Sequence, residues 1–264
     1  MKIAIVSNTP RAGKTYFMLA LAHTYSRSQQ SKVAVFSTGE LAHVTAPLLQ
    51  VQDKDEAATP GVFKAMLETG TIRGEQLFNY AMRSGRDEVF IFDLFNRKND
   101  LSQNLDFLAR TFKSIDSKMI LVEVNGNPKS KENQVIIDNC DVVINLFNTD
   151  NYSIEEFKLF DKSLEDKFKK KYIYLCSMYD ARILSEKKLS GLLGKGQKDI
   201  LTFEYNPSMS KLFLDGEYGT FTDKVVYGGE EFLKIRQNLL VIMQKLYDDE
   251  KRKRIKEIKD WPKL

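Results

Sequence analysis

The chain has 264 residues, a formal net charge of +4, and 42% apolar and 29% charged residues. That balance suits an ordinary folded protein with a substantial core. No apolar run of about 18 residues occurs, so no membrane-crossing helix is expected, and two cysteines with two histidines supply neither a disulfide framework nor a metal cluster.

Short apolar runs alternate with longer amphipathic ones. Ile3–Ser7 reads as a strand rather than a leader peptide, and Lys14–Ser26 as the helix after it. Lys32–Ser37 is the next strand. Residues 60–85 look helical and elaborate the connection to a third strand, Val89–Asp93. Leu101–Lys113 reads as a helix, then Met119–Val124 and Val142–Leu146 as strands. Helix Ser153–Lys162, strand Tyr172–Leu175, helix Ser185–Leu193 and strand Ile200–Phe203 follow. A last long helix begins at Glu230-Glu231, after Gly228-Gly229. Near-continuous Val, Ile, Leu and Phe suits strands buried on both faces of a parallel sheet. The expected fold is a doubly wound, mostly parallel α/β sheet with helices on both faces. Residues 1–246 form its domain and residues 247–264 a basic helical tail. Cys140 and Cys176 are expected as reduced core thiols, and His23 and His43 as structural residues.

The first strand–helix joint reads Asn8-Thr9-Pro10-Arg11-Ala12-Gly13-Lys14-Thr15. It ends as the phosphate-binding pattern G-x-x-x-x-G-K-[ST] ends, with Asn8 at the first glycine. A phosphate loop needs a strand before it and a helix after it, so that backbone N–H groups and the helix N-terminus converge on phosphate. Both are expected here. Gly13 permits close backbone approach, Lys14 is placed for the β- and γ-phosphates, and the Thr15 hydroxyl for Mg²⁺. A second motif, "EVFIFDLFN", is four apolar residues ending in Asp93, the pattern of a Walker B strand whose acid holds Mg²⁺.

With these motifs in place, the chain resembles the ParA/MinD family of deviant P-loop ATPases. Three downstream segments carry the resemblance further: "CDVVINLFNTDNYSIEEFKLF", "YIYLCSMYDARILSEKKLSGLLG" and "LTFEYNPSMSKLFLDG". The resemblance implies a P-loop NTPase fold, ATP and Mg²⁺ as cofactors, and a homodimer with a protein partner. It implies nucleotide contacts from Arg11, Ala12, Gly13, Lys14, Thr15 and Tyr16, with Ser177, Tyr205, Asn206 and Pro207 toward the adenine. Lys14 and Asp93 are the implied catalytic pair, and Thr15 and Asp93 the metal ligands.

Departures from the family pattern bear on turnover. The family loop reads K-G-G-x-G-K-[ST]; Thr9 stands where its signature lysine reaches a partner's nucleotide, and Pro10 and Arg11 replace two glycines. Pro10 has no N–H to donate. Arg11 either supplies the missing charge or is an exposed loop arginine. The family's Asp-x-Asp after the second strand is Ser37-Thr38-Gly39-Glu40 here, Glu40 being one position displaced. Ser177 replaces an asparagine, and Phe95-Asn96 a Pro-Pro. Losing a trans cation and a water-orienting acid costs about 10³-fold or more in hydrolysis and far less in binding.

These features imply an ATP-binding positioning or assembly protein with slow or absent hydrolysis. Similarity to the TadZ/CpaE-type members would direct it to pilus, secretion or conjugation machinery. The alternative is a plasmid or chromosome partition ATPase binding DNA nonspecifically. A small-molecule kinase would need an arginine-rich lid, for which no cluster is seen. The expected location is cytoplasmic or peripheral at the membrane. Residues 251–259 of the tail hold six cations and one anion, with Ile255, Ile258 and Trp261 along one helical face. Across residues 251–261 the tail suits weak, salt-sensitive contact with anionic lipid or DNA, or simply a solvated helix end.

Overall fold

The computed structural model describes residues 1–38, 69–70, 74–84, 87–92, 112–165, 171–214, 220, 223–225 and 228–247. His43, Gly39, Glu40, Asp93, Phe95, Asn96 and the tail from residue 248 lie outside them. Eight strands occur among the described residues: β1 (Lys2–Val6), β2 (Val33–Ser37), β3 (Met82–Ser84), β4 (Val89–Phe92), β5 (Met119–Glu123), β6 (Val142–Phe147), β7 (Lys171–Tyr179) and β8 (Ile200–Glu204). They form one sheet in the order β3-β4-β2-β5-β1-β6-β7-β8. Only β3 runs antiparallel to its neighbour. This is the expected α/β architecture of a P-loop NTPase.

The apolar runs follow from burial on both faces. In β1, Ile3 and Ile5 enter one core and Ala4 and Val6 the other, all fully buried. The first core is covered by α1 (Lys14–Gln29), in which every residue from Tyr16 to Ser26 is buried. The second gains Ile136 and Ile137 from α2 (Lys131–Asp138). The Ser130 hydroxyl caps α2 by accepting the Asn133 N–H at 3.2 Å. A third core joins the end of β6 and β7 to α3 (Asn151–Glu165) and α4 (Glu186–Leu193). Two further helices are α5 (Pro207–Leu214) and α6 (Leu233–Leu246). The α6 residues Ile235, Leu239, Ile242, Met243 and Leu246 lie on the α1 side of the sheet, as their helical spacing requires. No helix among the described residues is long and apolar enough to cross a membrane. Cys140 and Cys176 are free and buried.

Several elements differ from expectation. Within residues 60–85, the described part is a 3₁₀ turn, Gly74–Tyr80, followed by strand β3. Here edge pairing with β4 overrides local helical preference. Helices α2 and α5 are short and announced mainly by Ser130 and Asn206 ahead of them. Strand β7 runs nine residues, and its register with β8 shifts between Cys176 and Tyr179, where Met178 takes φ 51°. The strand order matters most. β1 is flanked by β5 and β6, whereas β4 lies three strand spacings from β1, about 14 Å at roughly 4.8 Å each.

Candidate functional site

The loop after β1 is shaped by two left-handed residues, Gly13 at φ 74° and Arg11 at φ 60°. A Cβ at Gly13 would also lie 3.4 Å from Met178 Cε, so both backbone and neighbour favour glycine. At Arg11 a side chain is carried at a strained position, a feature that concentrates at functional loops. Gly13 caps α1 without a side-chain hydrogen bond, and the first helical turn has no acid. Its leading N–H groups and dipole therefore suit an anion.

The loop is pinned from behind at two points. The Ser177 hydroxyl, on β7, donates to the Ala12 carbonyl at 2.5 Å and lies 3.0 Å from Asn148 Oδ1. On the other side, Ser153 of α3 donates to Thr9 Oγ1 at 2.9 Å, and Thr9 Oγ1 is 3.2 Å from Ser7 Oγ. Asn8 Nδ2 donates to the Glu156 carbonyl at 3.1 Å. Ser177 is 1% exposed, so it positions the loop and does not present itself to a base.

Lys14 and Thr15 open α1 beside Glu123, the last residue of β5, which pairs with Ile5 of β1. The Thr15 hydroxyl donates to Glu123 Oε2 at 2.7 Å. Burial pushes the Glu123 carboxyl up from its ordinary value, against the opposing pull of Thr15 and Lys14. Burial likewise lowers Lys14, with Glu123 opposing. A half-buried cation, a carboxylate and a hydroxyl thus meet at one helix N-terminus. Of the three, Lys14 lines a cavity of about 610 Å³, walled by residues 7–11 and Lys14 on one side and residues 125–129 on the other, with Glu156 at its border.

The donors fit a magnesium nucleotide. Thr15 and Glu123 offer hard oxygens at one point, and Lys14 with the uncapped helix offers phosphate contacts. Among the described residues no group of three or more His, Cys, Asp or Glu could hold a metal alone, so phosphate oxygens and water would complete such a shell.

The structure brings most expected site residues together: Arg11, Ala12, Gly13, Lys14, Thr15 and Tyr16 in sequence, with Ser177 behind. Tyr205 follows β8, and its N–H donates to the Tyr179 carbonyl at 2.9 Å. Burial and nearby Tyr205 push the Tyr16 phenol up, and Tyr16 packs edge-on against Phe203 at 5.8 Å. Tyr205 is half exposed. Asn206 is occupied: its Oδ1 accepts the Ser208 N–H at 2.8 Å, capping α5, and its Nδ2 donates to the Glu231 carbonyl at 2.8 Å. Pro207 is the first residue of α5, where its missing N–H costs nothing.

Asp93 lies outside the described residues, and β4 before it is not a neighbour of β1. The acid that meets Thr15 is Glu123, which sequence reasoning missed. "MILVE" carries the same signal as "VFIFD", four apolar residues and an acid. Ser37, expected as a lost acid, accepts the Asn125 Nδ2 at 2.8 Å and so holds the loop after β5.

The fold is shared with solved ParA and MinD proteins. The chain superposes on a ParA family ATPase from Chlorobium tepidum TLS with a TM-score of 0.68 at 10% identity, covering 94% of this chain and 99% of that one. The MinC:MinD cell division complex of Aquifex aeolicus gives 0.67 at 14% identity, with 93% and 95% covered. MinD of Pyrococcus horikoshii OT3, complexed with Mg-ADP, gives 0.65 at 14% identity, with 90% and 95% covered. No family model and no curated protein matches the sequence.

Proposed function

We propose that this chain binds ATP with Mg²⁺ at the β1–α1 loop and acts as a ParA/MinD-like positioning or assembly protein with slow turnover. The observation that carries the reading is the 2.7 Å contact between Thr15 and Glu123 beside Lys14, at an uncapped helix N-terminus. Lys14 and the N–H groups of Gly13, Lys14 and Thr15 hold phosphate. Thr15 and Glu123 hold the metal, with Glu123 taking the role first assigned to Asp93. Bound Mg²⁺ supplies charge neutralisation on the phosphates. Tyr16 and Tyr205 border the side toward the base.

Slow turnover follows from what the site residues already do. Thr9 is 5% exposed and tied to Ser7 and Ser153, so it carries no charge toward a partner's nucleotide. Ser37 is spent on Asn125. Phosphoryl transfer depends on positioned charge, and these two positions supply none. A nucleotide-loaded homodimer recruiting a protein partner suits a binder better than a fast enzyme. The TadZ/CpaE resemblance would direct that recruitment to pilus, secretion or conjugation machinery. Nonspecific DNA binding in partition is the second reading, favoured by the basic composition of residues 251–259.

Titration with a fluorescent ATP analogue, with and without Mg²⁺, tests the site. Metal-enhanced binding that Lys14→Ala weakens at least tenfold, about 1.4 kcal/mol, is expected. No binding by the parent protein, or unchanged binding by the variant, defeats the proposal. A turnover near 1 s⁻¹ or faster would defeat its slow-hydrolysis part.

A further inference from the structure

We infer that Thr38 and Asn125 are positioning residues for the metal site: together they lock the end of β5 so that the Glu123 carboxylate stays against Thr15. The inference rests on the magnesium-nucleotide reading above and adds what holds its carboxylate in place.

Strand alternation sends Glu123 to the α1 side, because Met119 and Leu121, at two-residue spacing before it, enter the core that α1 covers. The backbone around Glu123 is held from both strands that flank β5. β2 ends at Ser37, opposite Glu123. Thr38, the next residue, donates its N–H to the Glu123 carbonyl at 2.9 Å, and its Oγ1 accepts the Asn125 N–H at 2.8 Å. From β1, the Ile5 carbonyl accepts the Val124 N–H at 2.9 Å. Three consecutive residues, 123 to 125, are thus each tied to a flanking strand or to the residue just past it.

Asn125 closes the bracket. Its Nδ2 donates to Ser37 Oγ at 2.8 Å, and its carbonyl accepts from Asn133 Nδ2 of α2 at 2.8 Å. Asn125 borders the cavity, whereas Thr38 is buried and stands outside the residues that wall it. Thr38 therefore acts on a ligand only through the chain it grips. A glutamate at a strand end has several rotatable bonds, and the reach of its carboxylate depends on where its Cα is held. Groups behind a metal ligand that fix its orientation raise metal affinity without touching the ion. A carboxylate already in place also loses little freedom when the metal arrives.

Titration of the full chain with a fluorescent ATP analogue, with and without Mg²⁺, tests the inference in the parent protein, Thr38→Val, Thr38→Ser and Asn125→Ala. Thr38→Val keeps the side-chain shape and the N–H but removes the acceptor. It is expected to cut the Mg²⁺ enhancement of binding about tenfold and to leave metal-free affinity within about twofold. Thr38→Ser retains the hydroxyl and should keep most of the enhancement. Asn125→Ala loses only the Ser37 contact, so a smaller loss in the same sense is expected, and it carries the comparison if Thr38→Val does not fold. Adding Thr38→Val to Glu123→Gln should cost no further enhancement, because the hydroxyl acts through that carboxylate. Equal losses with and without Mg²⁺, full enhancement in Thr38→Val and Asn125→Ala, or additive losses in the double variant would overturn the inference and leave the nucleotide site standing. A parent protein that binds no nucleotide, or binds it without help from Mg²⁺, would overturn the metal reading along with it.

Discussion

Helix α1 carries a charged cluster at each end, and the two clusters differ in one respect. At its N-terminus, Lys14, Thr15 and Glu123 meet beside an open cavity. Toward its C-terminus, His23 and Arg27 meet Asp87. There His23 Nδ1 is 2.8 Å from Asp87 Oδ2, its Nε2 is 2.9 Å from Ser84 Oγ, and Arg27 Nε donates to Asp87 Oδ1 at 2.8 Å. Arg27 also reaches Asp223 at 2.9 Å. Ser84, His23 and Asp87 stand in the order of a hydrolytic triad, yet Ser84 is 1% exposed and His23 fully buried. No substrate reaches that hydroxyl, and every group's partner belongs to the fold. A cluster satisfied from within holds elements together; a cluster with donors facing a cavity awaits a ligand.

Substitutions at the two ends should separate stability from binding. The largest effect is expected for Asp87→Ala, which strands a buried histidine and a half-buried arginine. A loss of about 3–5 kcal/mol in urea unfolding is expected, with nucleotide affinity per folded molecule unchanged. A matching fall in affinity would mean that the two ends are coupled through α1. Ser177→Ala comes next. It releases the Ala12 carbonyl and should cost about 1–3 kcal/mol, now with weaker nucleotide binding as well.

Lys14→Ala should show the reverse signature, at least tenfold weaker nucleotide binding, about 1.4 kcal/mol, with a nearly unchanged urea midpoint. Glu123→Gln sharpens the site further, removing most of the Mg²⁺ enhancement of binding, while Asp93→Asn leaves it intact. The opposite result would return the metal role to Asp93.

The smallest effect is a pH dependence at the closed end. Burial raises the Asp87 carboxyl, but the His23 and Arg27 contacts outweigh it and hold the group below its ordinary value. A depressed carboxylate stabilises the fold above its unfolded pKa, about 3.9. That contribution is lost as the pH falls through the lower folded value. Urea midpoints from pH 6 to 3 should therefore decline less steeply in Asp87→Asn than in the parent protein.

Local chemistry was legible in the sequence where a signal was self-contained. Buried strands showed as apolar runs, and Gly13-Lys14-Thr15 showed between a strand and a helix. The partner of Thr15 was not legible, because both β4 and β5 end as an acid-led strand should. Choosing between them requires strand order, a long-range property set by crossovers. The Ser177 contact was equally silent: a serine in a strand looks the same whether its hydroxyl meets water or a loop carbonyl. The Ser84–His23–Asp87 row joins residues some sixty positions apart, and only the packing of α1 against the β3–β4 edge assembles it.

The inward-turned Thr9 also limits what can stand at that position. A lysine placed there now would meet Ser7 and Ser153, lose their hydroxyl contacts and set an ammonium in a buried position. Burying such a charge without a partner costs several kcal/mol. A lysine would fit there only if Ser7 and Ser153 changed with it. The hydroxyl chain thus acts as a latch: it fastens the loop to α3 at Thr9 and keeps a long cation out of that position.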